Sequence, residues 1–141
     1  MFLTHRQYIR FLKGGFSNTA VVAFLPGDLA ALMPTLSTDV RIDGDYARKI
    51  WEKHRLGHEA LGLVQTMISD GWCTKSRPNQ LDFLYVGGQG APRHYVLGIK
   101  SAKRGQETWI TTLHPTDEGE TRRRLRRAKE KGLLLRGPKW T

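Results

Sequence analysis

Three strand-like segments follow one another between Leu81 and His114: LDFLYVGG, RHYVLGIKSA and TWITTLH. The stretches that separate them, GGQGAP and KRGQ, are turn-prone. Consecutive strands with short connections pair as an antiparallel meander. In RHYVLGIKSA, alternation sends Tyr95, Leu97 and Ile99 to one face and His94, Val96, Gly98 and Lys100 to the other. The first set makes a core face, so Lys100 stands in mid-sheet on the opposite one. Gly98 on that face leaves room for a ligand or marks a close packing contact.

The rest of the chain supplies what covers this sheet. Residues 5–13 alternate basic and apolar in a helix-like way and stop at Gly14 and Gly15. AVVAFLP reads as a short buried strand, PGDLAALM has helical spacing behind Pro26, and TDVRID reads as a second strand. Asp43 is placed to cap a helix from Gly44 to His54, with Ala47, Ile50 and His54 along one stripe. A further helix is expected from His58 to Ser69, with Leu61, Val64 and Ile68 inward. DGWCTKSRPNQ reads as a loop or hairpin lead-in. DEGETRRRLRRAKEKG is a helix with acids first and bases after, and Thr121, Leu125 and Ala128 form its inner stripe. The tail LLLRGPKWT docks or adds a strand. With 141 residues, 39% of them hydrophobic, and no long linker, the chain is expected to form one α+β domain spanning 1–141.

Charge narrows the partners. Lys and Arg number 23 against 13 acids, a net charge of +10. Such an excess points to a polyanion, most often nucleic acid; a solubilising surface or docking to an acidic protein are the alternatives. Five arginines fall within residues 122–127, a strong local field for phosphates. No apolar run approaches a membrane span, and basic residues interrupt the N-terminal apolar pattern, so neither membrane nor signal peptide is expected. The single cysteine, Cys73, excludes an internal disulfide and thiolate zinc sites, and reads as a small buried hydrophobe.

His54 and His58 have the spacing of a zinc-binding helix, but Arg55 stands where such a site carries its glutamate, and Gly57 weakens the helix. No metal or cofactor is expected. His54 then either ends its helix as a favourable cation or does acid/base chemistry. Metal-free RNA cleavage needs a base near the 2′-hydroxyl, an acid for the 5′-oxygen and cations on the phosphate. Lys100 is one such cation. A turn centred on Arg104 and Gly105 sets it near Trp109 and Thr111, whereas a one-residue bulge brings Thr112 and His114 round instead. No carboxylate pair for two-metal catalysis and no phosphate-binding glycine loop stands out.

AVVAFLPGDLAALM, STDVRIDGDYARKIWEKH and LDFLYV…YVLGIKSAKRGQETWITTLH, followed by a basic helix, together resemble one family. It is the phage-type branch of the barnase–EndoU–colicin–RelE superfamily of ribonuclease toxins, and the likeness covers roughly residues 18–131. The resemblance implies N-terminal helices packed on one face of an antiparallel four- to five-stranded sheet, with a basic C-terminal helix. It implies an endoribonuclease that cleaves tRNA or another structured RNA without metal. His54, Lys53, Lys100, Thr111 or Thr112, and His114 are the catalytic candidates. Arg122, Arg123, Arg126, Arg127 and His94 are the RNA-binding candidates. An acidic immunity or antitoxin protein and a cytoplasmic site of action, native or after delivery into a target cell, go with a toxin. The other reading is a non-catalytic basic module that binds nucleic acid or a phage partner.

Overall fold

The computed structural model describes residues 19–33, 38–54, 58–87, 93–102 and 107–137. The helix expected over 5–13, together with Arg55 and Gly57, lies outside them. The strands are β1 (Thr19–Phe24), β2 (Asp39–Asp43), β3 (Trp72–Arg77), β4 (Gln80–Gly87), β5 (Arg93–Ala102), β6 (Glu107–Thr116) and β7 (Leu134–Arg136). The helices are α1 (Gly27–Ala30), α2 (Gly44–His54), α3 (His58–Gly62), α4 (Val64–Asp70) and α5 (Glu118–Glu130).

The seven strands form one sheet in the order β1-β2-β6-β5-β4-β3-β7. The expected meander β4-β5-β6 is its antiparallel centre. The architecture is α+β, but the sheet is larger than four or five strands and is not purely antiparallel. β2 runs parallel to β6 through Val40↔Thr108 and Arg41↔Trp109. The segment expected as a loop is β3, which forms a hairpin with β4 through Pro78 and Asn79. β7 adds beyond β3. Arg136 secures it by donating to the carbonyls of Ile68 and, at 3.1 Å, Gly71 at the end of α4, where a guanidinium also suits the helix dipole.

Local chemistry accounts for the helix bounds. Asp43 accepts a hydrogen bond from the Tyr46 N–H at 2.7 Å and starts α2, while Lys53 and His54 in the last turn oppose its dipole. Asp117 caps α5 in the same way, accepting from the Glu120 N–H at 2.8 Å. That helix ends at Gly132, whose φ of 68° lets the Leu133 N–H turn back to the Ala128 carbonyl at 2.8 Å. The helix expected from His58 to Ser69 is interrupted at Leu63, giving α3 and α4.

The main core lies between the sheet and α2–α4. Phe83, Leu97, Ile99 and Leu113 meet Ile50, Val64, Met67 and Ile68 there. Burying a side chain such as Phe83 stabilises the fold by about 1.5–3 kcal/mol. Cys73 is fully buried in this layer, and burial pushes its thiol up to about 12, so it packs as an unreactive hydrophobe.

Helices cover both faces of the sheet, which corrects the one-sided arrangement. Leu84 and Val96 are buried on the face opposite the main core, and α5 lies over that face. The contact is fixed by Thr121, whose hydroxyl oxygen sits 2.9 Å from Nδ1 of His94. β4 and β5 carry apolar residues in both alternation sets at their centre, so each face needs a cover. Among the described residues, no helix is long and apolar enough to cross a membrane.

Candidate active site

The site begins where β2 leaves β6. Beyond Arg41↔Trp109 the outer edge of β6 has no strand partner among the described residues, and α2 packs along it. The Tyr46 hydroxyl accepts the Leu113 N–H at 3.1 Å, an edge donor that would otherwise lack a partner among the described residues. Burial raises the Tyr46 pKa, partly offset by that hydrogen bond. At the far end of α2, His54 reaches His114 on β6. Their ring centroids are 5.8 Å apart and the planes are tilted by 39°.

These rings are neighbours without being bonded to each other. Neither nitrogen of His54 hydrogen-bonds another described residue. Nδ1 of His114 lies 2.9 Å from the Pro115 carbonyl. A carbonyl only accepts, so Nδ1 is the donor in this contact and Nε2 takes no part in it. The pKa of His54 is lowered from its ordinary value, first by burial, then by the charge of His114, then by that of Lys53. The helix C-terminus acts the other way, and the depressing influences win.

A bulge decides which threonine faces this pair. Gly98 pairs with Thr112 and Ile99 with Ile110, leaving Thr111 as the extra residue. Thr111 is exposed and donates to the Gly98 carbonyl at 3.4 Å. Thr112 and His114 therefore share a face with Gly98 and Val96, and Thr112 sits one pleat repeat, about 7 Å, from His114. Lys100 pairs with Trp109, four residues along β5 from the Val96 that faces His114. That is about 13 Å along the strand, so Lys100 is not brought to the histidine pair. It is half-buried and has no ion pair among the described residues.

Asp82 shares this face and was not anticipated. It stands opposite Gly98 and accepts from Gln80 Nε2 at 3.1 Å. A Cβ on Gly98 would lie 2.9 Å from Asp82 Oδ1 and 3.1 Å from Thr112 Cβ. Glycine is what allows the two side chains to close over the strand. The signal was present in LDFLYV, where a lone carboxylate interrupts a mid-sheet apolar strand.

The arginines of α5 are unequal. Arg122 pairs with Glu118 at 2.7 Å, and Arg123 and Arg124 both pair with Glu120. Arg126 and Arg127 are exposed and have no carboxylate partner among the described residues. Arg124, Arg127 and Lys131 also line a cavity of about 240 Å³ against Thr74 and Ser76. His94 stands under α5. The Thr121 hydroxyl donates to the Asp117 carbonyl at 2.9 Å, so its oxygen accepts from His94 Nδ1–H. His58 is the first residue of α3. Among the described residues, no three of His, Cys, Asp and Glu gather as a metal site would need.

No protein-family model matches the chain, and no curated protein or solved structure matches it either.

Proposed function

We propose that the chain is a metal-independent endoribonuclease toxin that cleaves tRNA or another structured RNA by acid/base transphosphorylation. The observation that carries this reading is the His54–His114 pair, two imidazoles 5.8 Å apart at the junction of a helix end and a sheet edge. An RNA phosphate supplies its own nucleophile, so two proton-transfer groups and local cations suffice.

In this reading His54, kept neutral more readily than an ordinary imidazole, takes the proton from the 2′-hydroxyl. The 2′-oxygen forms a bond to phosphorus and the bond to the 5′-oxygen breaks. His114 donates its Nε2 proton to that leaving oxygen. The products are a 2′,3′-cyclic phosphate and a 5′-hydroxyl end. Thr112, on the same sheet face as His114, and Lys53, beside His54 in the chain, serve as donors for the non-bridging oxygens, and Lys100 holds a neighbouring phosphate. Arg126 and Arg127, which have no carboxylate partner among the described residues, add sequence-independent attraction for the strand. A basic surface guarding such an activity suits an acidic immunity protein that mimics phosphate, and co-purification with the product of the adjacent reading frame tests for one.

The distance from Lys100 to the histidines favours one other reading, a basic nucleic-acid-binding module without catalysis. Incubating the purified protein with total tRNA in EDTA and mapping the ends separates the two. Cyclic phosphate and 5′-hydroxyl ends are expected. RNA that is retained but left intact would overturn the ribonuclease reading.

A further inference from the structure

Between α5 and the sheet, with His94 in its lining, lies a cavity of about 520 Å³. We propose that it is a nucleobase subsite: it receives one unpaired base, a purine by preference, next to the phosphate at His54 and His114. The proposal rests on the ribonuclease reading for what sits at the histidines, and it adds the recognition that reading lacks.

Position is the first argument. His94 faces Thr116 across β5 and β6, and Val96 faces His114. His94 and His114 are therefore diagonal neighbours on one sheet face, about 7–8 Å apart. His94 lines the cavity. A strand with a phosphate at His114 thus has an adjoining base within reach of the opening.

Lining chemistry is the second. Trp72, Val86 and Leu125 supply apolar walls. An indole is a stacking surface for any base and gains most from the larger two-ring purines. The volume falls in the range of small-ligand sites, which suits one base and not a duplex. At the rim, Arg122 and Glu118 sit one helical turn apart and are paired at 2.7 Å, a donor fork beside an acceptor. Every base edge presents both donors and acceptors, so this pair can read an edge by exchanging its mutual bond for bonds to the base. His94 adds a third polar group. Thr121 holds its Nδ1–H, which leaves Nε2 as the nitrogen able to contact a ligand.

The probes are the four nucleoside 5′-monophosphates, titrated calorimetrically into the full chain. AMP and GMP are expected to bind about ten-fold more tightly than CMP and UMP. Trp72→Leu should remove that preference, whereas Lys49→Ala, which deletes a charge on α2, should leave it intact. Should Trp72→Leu fail to fold, the exposed Glu118→Gln carries the test, because altering the rim is expected to change the AMP-to-GMP ratio about five-fold or more. Equal binding of all four nucleotides, or unchanged ratios in Glu118→Gln, overturns the proposal. End-mapping on RNA separates the two claims. Cleavage with no base preference would sink the subsite and leave the ribonuclease standing. Selective purine binding without cleavage would do the reverse.

Discussion

At His54 the cationic neighbours and burial act in one direction. Burial disfavours the imidazolium, and the charges of His114 and Lys53 repel it, so its pKa is lowered. A base with a lowered pKa stays competent further into acid. The acidic limb of the kcat/KM profile is therefore expected below the ordinary histidine value of about 6.5. Removing a neighbouring cation makes protonation easier, so Lys53→Gln should move that limb to higher pH. A pH–rate series on both proteins checks this, and a limb that moves to lower pH would show the assignment of the base to be wrong. The same shift bears on stability. The folded state prefers neutral His54, so its contribution is complete above the unfolded pKa and declines as pH falls through the folded one.

Among the elements, α2 has the strictest positional demands, because it carries His54 at one end and closes the β6 edge with the other. Tyr46→Phe leaves the Leu113 N–H without its partner and should cost about 1–3 kcal/mol in urea unfolding. Asp43→Ala removes the cap on the Tyr46 N–H and should cost about 1 kcal/mol. Denaturation midpoints equal to wild type for both variants would mean α2 is not anchored in this way. The bounds of α2 were legible because a capping aspartate, an apolar stripe and basic last-turn residues all agreed. β3 was not legible: in WCTKSR only Cys73 is buried, so alternation gave too little contrast. Nor could the sequence choose between Thr111 and Thr112, since one bulged residue reverses the facing of all that follows. Thr121 and Ala128 were readable as the inner face of α5, but the sheet face it covers depends on Leu84 and Val96 needing shelter. The His54–His114 contact joins residues far apart in the chain and became visible only once α2 was seen along the edge of β6.

Over the whole molecule, a charge of +10 sets the approach of any polyanion. Binding to RNA should weaken steeply with salt. Replacing Arg126 or Arg127, which have no carboxylate partner among the described residues, should flatten the slope of log affinity against log salt by about one unit each. Arg123→Ala should change it less, because Glu120 already offsets that charge. Equal effects at all three positions would place the footprint elsewhere. Electrostatic attraction alone, however, does not distinguish a nuclease from a binder. That distinction belongs to the histidine pair, and a double-mutant comparison on one RNA substrate tests it most directly. Cleavage rates would be measured for the wild type, His54→Ala, His114→Ala and the double variant. Groups that act as base and acid in one step should each cost about 10²–10⁴-fold alone, with the double variant little worse than the poorer single one. Wild-type rates in either single variant would contradict the account.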